Sequence, residues 1–440
     1  MDLSAVLNLI NSIAMIMIFV SLALFSYRFF YIMFGFKKPK NFKETDKKGK
    51  YAILVPARDE SSVIEGLLKS LKDQTYDKDF FDVYVITETE EDLTNILTKK
   101  YGYNFFVRQD LEDKHTKGFA LDEVIKDIYN KNLHYDAFFI IDADNTIAPN
   151  YIEEMNKAYF SGIDIAMSYK NVTNINDDWV SCCSSLLFCN VNTFQNKAKT
   201  RLFNTMLISG TGLYISSKII DEFKGFPFTS LTEDYELSSF ITMNKYKVAY
   251  VESTEVFVEQ PVELSTVNKQ RIRWCKGYFD VSKKMKKETK KAFKQNGSNK
   301  IGILENRLAL IPNVVAIATI ILYTLSLIVM IIIGLCVKRM DVCETAAICL
   351  CEFLAIYYLV LCIYTMLQFI VERDRIKVGK KLMLKSIVLN PIFINLFVYQ
   401  AIAALVSKNV GWKKIERTGE AIQKDNVEAE TGERIEVNNG

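Results

Sequence analysis

Two uninterrupted apolar runs constrain this chain more than any other feature. Residues 308–337 carry no charge before Lys338, and residues 345–371 carry only Glu352. Each exceeds the roughly 20 apolar residues that span a bilayer. In hydrocarbon such segments must satisfy their own backbone, which makes them helices. A third run, 4–36, has Arg28 as its only charge. It lacks a basic leader and a small-residue cleavage site, and it is too long for a signal peptide, so a retained anchor is expected. A fourth, 386–406, is uncharged but contains Asn390, Pro391 and Asn395.

Between these runs, about 37–307 reads as a soluble domain. Lysines crowd both of its ends, Lys37 to Lys50 on one side and Lys283 to Lys300 on the other. The positive-inside rule places this domain in the cytosol of a multi-pass protein of the cell membrane. The basic cluster Arg373 to Lys385 is expected on the same side. The nine cysteines show no zinc spacing and read as small buried hydrophobes of a reducing compartment. With two histidines in 440 residues, His-rich metal sites and His-based triads are excluded as leading readings. The expected organisation is an anchor at 1–36, a folded domain at 37–280, a basic interfacial segment at 281–307, a membrane region at 308–407, and a basic motif with a disordered tail at 408–440. The membrane region holds two clear spans and a third or re-entrant segment.

Inside the folded domain, Tyr51 to Val55 is a short apolar run ending at Pro56, the pattern of a buried strand. Ser61 to Lys72 has apolar residues at helical spacing, with Asp59 or Ser61 as the expected cap. Phe81 to Thr87 and Phe138 to Ile141 read as further strands. Strands alternating with helices imply an α/β domain with a mostly parallel sheet. Ligands bind such sheets beyond the carboxyl ends of the strands. Those ends are Pro56 to Glu60, Glu88 to Asp92, and Asp142 to Asn145.

The residues there carry chemistry. Asp142 and Asp144 surface together from an apolar strand. Two carboxylates at such a point repel unless they share a cation, and Mg2+ or Mn2+ with a phosphate-bearing ligand would satisfy them; an acidic turn is the plainer alternative. Glu233 and Asp234 open a helical pattern, where carboxylates also complement the helix dipole. Lys117 and Gly118 precede another helix, a place that suits a phosphate or simply a solvated lysine. Gly210 and Gly212 allow either close backbone approach to a ligand or a tight turn. The run KQRIRW (269–274) joins three cations to an indole. From the residues alone it is a membrane-surface anchor, part of a site, or a nucleic-acid patch; its place between apolar runs argues against nucleic acid.

In order, VPARDE (55–60), KGFAL (117–121), DADN (142–145), GTG (210–212), TED (232–234) and QRIRW (270–274) resemble glycosyltransferase family 2. The branch they resemble is the membrane-bound one of poly-N-acetylglucosamine, hyaluronan and cellulose synthases. The resemblance covers about residues 51–280, with a further match at WKKIERTG (412–419). It implies a GT-A-like nucleotide-sugar-binding domain flanked by transmembrane helices. It also implies site roles. Asp142 and Asp144 would hold the metal and the nucleotide sugar, with Pro56, Arg58, Glu60, Glu88 and Lys117 as further donor contacts. Asp234, beside Glu233, would be the catalytic base. Gly210, Thr211, Gly212, Gln270, Arg271, Arg273 and Trp274 would serve the diphosphate and the acceptor. The implied partners are a UDP-sugar donor, a polysaccharide or lipid acceptor and membrane lipids; nucleic acid is not expected, and a membrane partner protein is left open. Glu88 departs from the pattern, since the family usually has an Asp there. One difficulty remains in the membrane region. Three spans after the domain put the C-terminus outside, yet the basic 408–417 segment resembles a cytosolic feature; Asn390, Pro391 and Asn395 would permit 386–406 to be re-entrant or interfacial.

Overall fold

The computed structural model describes residues 30–112, 116–295, 297–309 and 311–407, with isolated positions before residue 30. Most of the N-terminal apolar run, His115, and the 408–440 motif and tail lie outside the described residues.

An eight-stranded sheet forms the centre of the domain. Its strands are β1 (Tyr51–Pro56), β2 (Phe81–Thr87), β3 (Asn104–Val107), β4 (Ala137–Ile140), β5 (Thr146–Ile147), β6 (Ile165–Val172), β7 (Leu213–Ser216) and β8 (Val248–Val258). The order across the sheet is β3-β2-β1-β4-β7-β6-β8-β5. One half, β3-β2-β1-β4, is wholly parallel. In the other half β7 runs antiparallel between β4 and β6, β6 and β8 are parallel, and β5 closes the edge antiparallel to β8.

The parallel half is buried on both faces, which is why its strands read as continuous apolar runs. In β1, Ala52 and Leu54 join one core with Leu121, Val124 and Ile125. Tyr51, Ile53 and Val55 point the other way, into a second core with Leu67, Leu68 and Ile152. This alternation follows from the two-residue period of a strand.

The helices are α1 (Ile64–Lys72), α2 (Leu93–Lys100), α3 (Lys117–Asn130), α4 (Tyr151–Phe160), α5 (Trp179–Cys189), α6 (Lys197–Phe203), α7 (Ser217–Ile220), α8 (Glu233–Asn244) and α9 (Leu264–Lys284). Two short helices follow, α10 (Lys286–Lys294) and α11 (Lys300–Arg307). Three long ones end the described chain: α12 (Ile311–Cys336), α13 (Met340–Val371) and α14 (Lys380–Val406). A π-helical stretch, Asn190–Asn196, joins α5 to α6.

The helix expected from Ser61 begins later, at Ile64, and neither Asp59 nor Ser61 caps it; the cap position is Val63, with no side-chain bond. The reason is the turn that precedes it. Asp59 takes a positive φ of 53° and its backbone N–H donates to Asp92, while Val63 and Ile64 donate to the Glu60 carbonyl. The residues after β1 are thus committed to a loop that crosses to the β2 end. Among the described residues, three helices are long and apolar enough to cross a membrane: Val315–Cys336, Met340–Val371 and Lys380–Val406. Gly334 lets α12 and α13 turn closely, since a Cβ there would meet Cys343 Sγ at 2.6 Å.

Candidate active site

The site forms where β1, β2 and β4 end, and the loop 209–212 ties it together. Gly210 and Gly212 both take positive φ, 79° and 73°, a conformation that favours glycine. A Cβ on Gly212 would lie 2.5 Å from Val256 Cγ1, so space as well as backbone demands glycine there. The loop presents its polar atoms to three elements. The Gly210 carbonyl accepts from Lys117 Nζ at 2.7 Å. The Ser209 carbonyl accepts from Lys170 Nζ on β6. Thr211 Oγ1 accepts from the Asp142 backbone N–H at 2.9 Å and from Asn145 Nδ2 at 2.7 Å. Asp142 is therefore held by its backbone, leaving its carboxylate to the site.

Lys117 opens α3 and reaches the centre. Its ammonium pairs with Asp142 and lies 4.0 Å from Glu233 Oε1. Gly118 makes this approach possible, because a Cβ there would stand 2.0 Å from the Phe228 carbonyl oxygen. Thr116 Oγ1 donates to the Thr229 carbonyl at 2.9 Å and seals the same contact. The 226–232 segment, so fixed, leads into α8 and its two acidic first residues. On the far side, Gly277 of α9 abuts Thr232: a Cβ would meet Thr232 Cγ2 at 2.2 Å.

Buried carboxylates and lysines share this volume, and their proton affinities report the crowding. Burial and the adjacent Asp234 raise Glu233 from 4.5 to about 7, against the pull of Lys117. Burial also raises Asp234, although the Tyr235 N–H at 2.7 Å and the two lysines favour its charged form. Burial pulls Lys117 down, but Asp142 and Glu233 more than offset it and leave the ammonium above its ordinary value. Lys170 goes the other way. Its burial lowers it to about 8 despite Asp142 and Asp234. The contrast is one of contact, since Lys117 has a carboxylate partner and Lys170 a carbonyl.

The 269–274 run lies in α9, and the helix sorts it. Gln270, Arg273, Trp274 and Gly277 fall at helical spacing on one side. Burial lowers Arg273, opposed by Glu233, Asp234 and Asp142, so its guanidinium feels the acidic cluster. Trp274 packs against the cluster containing Val258, Phe369 and Ile376. Arg271 is about 200° around the helix from Arg273. Its guanidinium sits 4.2 Å over the Phe393 ring of α14, and burial there lowers it to about 10. The structure does not bring Arg271 to the acidic cluster.

At the β1 and β2 ends, Glu88 is held by Arg58 Nε at 2.9 Å and faces Arg108 Nη1 at 3.7 Å. Arg108 is itself buried and bonded to Glu123 at 2.7 Å. Pro56 ends β1 two residues before Arg58, and the Glu60 carbonyl accepts from Val63 and Ile64 at the start of α1. Lys170 and Arg108 went unnoticed in the sequence. Their signal was slight, a single cation within or just after an apolar strand, in IAMSYKNV and NFFVR.

Among the described residues no three His, Cys, Asp or Glu side chains gather into a metal cage. Asp142 and Asp144 offer carboxylate oxygens only. That donor set fits a hard divalent cation that keeps water and phosphate oxygens as its other ligands. It does not fit a closed structural site.

A family model described as "Glycosyltransferase like family 2" matches residues 48–277, just over half of the chain. A probable glycosyltransferase, YdaM, from Bacillus subtilis is 24% identical over 280 residues, covering 59% of this chain and 65% of that protein. A probable glycosyltransferase from Sulfolobus acidocaldarius is 21% identical over 243 residues, covering 52% of this chain and 50% of that protein. The chain thus spans less than two thirds of either relative. The mannosyltransferase PcManGT from Pyrobaculum calidifontis, solved with GDP-Man and Mn2+, superposes with a TM-score of 0.60 at 14% identity, over 91% of this chain and 100% of that one. The α/β domain is GT-A-like.

Proposed function

The chain belongs to glycosyltransferase-like family 2, and from that premise we propose that it is a membrane-embedded inverting glycosyltransferase. It takes a sugar from a UDP-sugar or related nucleotide sugar and adds it to a growing polysaccharide. The observation that carries this reading is the half-buried cluster around loop 209–212: Asp142, Glu233 and Asp234 with Lys117, Lys170 and Arg273. The parts follow the sequence reading, with an anchor at 1–36, a cytosolic catalytic domain at 37–280, a basic interfacial segment at 281–307, a membrane region at 308–407, and a basic motif with its tail at 408–440.

Asp234 is the base. Its raised proton affinity makes it a better acceptor for the hydroxyl proton of the incoming sugar or lipid. The acceptor oxygen forms the new bond to the anomeric carbon from behind. The bond from that carbon to the diphosphate oxygen breaks, and the nucleoside diphosphate leaves with the electron pair. One-sided displacement inverts the anomeric centre, by analogy with single-step glycoside hydrolysis. Lys117, Lys170 and Arg273 supply positive charge where the leaving diphosphate gains negative charge. Glu88, between Arg58 and Arg108, offers acceptor oxygens to the nucleotide base. Gln270 and Trp274 line the acceptor side, and Pro56, Glu60, Gly210, Thr211 and Gly212 shape the walls. Arg271 is better assigned to holding α9 on α14.

A divalent cation at Asp142 and Asp144, Mg2+ or Mn2+, would neutralise diphosphate charge when bound. The Mn2+ in the fold-similar mannosyltransferase supports that choice of chemistry, and its GDP-Man keeps the donor base open. A second reading is transfer of one sugar to a membrane lipid. It is favoured by how few long apolar helices the described residues contain, three in all.

The test is nucleotide release by the full chain in lipid nanodiscs across UDP- and GDP-sugars, with Mg2+, Mn2+ or chelator. Metal-dependent release with one donor is expected. Donor binding without release under every condition would overturn the enzymatic reading. Product size then separates the two acceptors: a ladder for a polymer, one glycolipid for a lipid.

A further inference from the structure

We infer that Glu372 and Arg375, just after α13, are positioning residues for sugar transfer: they fix the segment of β6 that carries Lys170, and so tie the geometry of the active site to the end of a long apolar helix. Lys170 needs such support. Its ammonium is a point charge on a flexible four-carbon stem. The tip meets the Ser209 carbonyl, lies 5.0 Å over the Phe188 ring and feels Asp142 and Asp234. The backbone beneath it decides where that tip can reach.

The sheet by itself holds this backbone poorly. On one side the β6–β7 pairing covers Ile165 to Met167 and stops short of Lys170. On the other side the β6–β8 register slips between Ser168 and Tyr169: Ser168 pairs with Val251, and Tyr169 with Glu255. Residues 252–254 of β8 are thus extra, a bulge that takes their backbone out of the ladder.

Glu372 and Arg375 make good both defects. Arg375 crosses the bulge. Its Nη2 donates to the Glu252 carbonyl at 2.5 Å and its Nε to Glu255 Oε1 at 2.9 Å. The same guanidinium stacks 3.9 Å over the Tyr169 ring. Glu372 Oε2 accepts from the Tyr169 hydroxyl at 2.9 Å, and its Oε1 accepts from Thr193 Oγ1. Thr193 belongs to the π-helical stretch Asn190–Asn196, a feature frequent at functional sites. Its neighbour Asn192 donates from Nδ2 to the Lys170 carbonyl at 2.9 Å, on a residue that the β7 pairing does not reach. One buried carboxylate therefore holds both the residue before Lys170 and the stretch that grips Lys170 itself. That carboxylate is in turn continuous with α13. The Glu372 N–H donates to the Gln368 carbonyl at 3.0 Å, and Gln368 Nε2 donates to the Leu186 carbonyl of α5 at 2.8 Å.

A cation aimed at the leaving diphosphate acts on the transition state more than on the bound donor. Its misplacement should therefore lower the maximal rate and spare donor binding. Transfer as proposed above is the premise, and the experiment separates the two. Glu372→Gln, Lys170→Met and the double variant are made in the full chain in nanodiscs, and nucleotide release is followed under single turnover across donor concentrations. Glu372→Gln is expected to lower the maximal rate by about 10- to 100-fold, the cost of a misplacement of about 1 Å. The half-saturating donor concentration should stay nearly unchanged. In the Lys170→Met background the same substitution should cost nothing further, because the group it acts through is gone. Equal losses in both backgrounds, or an unaltered rate in Glu372→Gln, overturn the inference and leave the enzyme intact. A wild type that binds donors and releases no nucleotide overturns the transfer reading, and the inference with it. Should Glu372→Gln fail to fold, Tyr169→Phe removes the same hydrogen bond from the other side and keeps the ring under Arg375. It is expected to show the same dependence on Lys170, and losses independent of Lys170 overturn the inference there too.

Discussion

Two groups of buried charges in this protein are built on opposite plans. In the belt where the catalytic domain meets the chain around it, each carboxylate has its cations. Glu252 is 2.6 Å from Lys197 and 2.8 Å from Arg201, with Glu252 and Lys197 both nearly inaccessible. Arg375 joins Glu255 at 2.9 Å, stacks 3.9 Å over Tyr169, and lies near Glu372, which accepts from Tyr169 and Thr193. In the active site Asp142, Glu233 and Asp234 crowd round Lys117, and Lys170 meets the Ser209 carbonyl and the Phe188 ring rather than a carboxylate. Burial of charge is common to both, so it does not by itself mark function. The mark is incomplete pairing, which leaves Glu233 and Lys170 titrating near neutrality. A bound diphosphate and cation would complete what the protein leaves open.

The largest expected effect is on the incomplete side. Asp234→Asn should lower transfer by about 10^2 to 10^4, the usual worth of a general base, with nucleotide binding retained. Single-turnover kinetics and donor titration would show it; full activity would remove Asp234 as the base. On the paired side, Glu252→Gln should leave Lys197 buried without its partner and cost about 3–5 kcal/mol of stability. Thermal unfolding in detergent would measure the loss, and an unchanged curve would break the contrast. Gly118→Ala, which forces a Cβ onto the Phe228 carbonyl, should cost about 1–3 kcal/mol and displace Lys117. Weaker donor binding alongside lower stability is the expected pair of results.

The smallest effect sharpens the comparison by its sign. Glu233 rises from 4.5 to about 7 on folding, so between those values the folded protein binds more protons than the unfolded one. Stability from this group is therefore full below pH 4.5 and lost as pH rises towards 7. Glu233→Gln should raise the melting temperature at pH 8 and leave it nearly unchanged at pH 4.5. The opposite dependence would mean that Glu233 is satisfied as an anion, as the belt carboxylates are.

Much of the parallel half of the sheet could be read from residues alone. YAILV and FDVYVIT became β1 and β2 because strands buried on both faces need no alternation and stand out as apolar runs. Asp142 lay at the end of such an element, where ligands of open sheets bind, and Lys117 and Glu233 opened helices. The antiparallel β7 and the two-residue β5 gave no such signal, being short and paired with distant partners. The late start of α1 depended on Asp92, far along the chain, holding the Asp59 backbone.

By itself the sequence determined the apolar helices, the α/β domain between them and the order of the chemical motifs, because hydrophobic period and strand-end position are local properties. Tertiary structure alone decided which charges meet. It turned Arg271 onto Phe393 and Arg273 towards the carboxylates, because two residues apart on a helix is nearly the opposite side. It brought Lys170 from mid-strand to the Ser209 carbonyl. And it laid α14 against the catalytic domain, since composition fixes what a helix can be buried in, and only packing fixes what it touches.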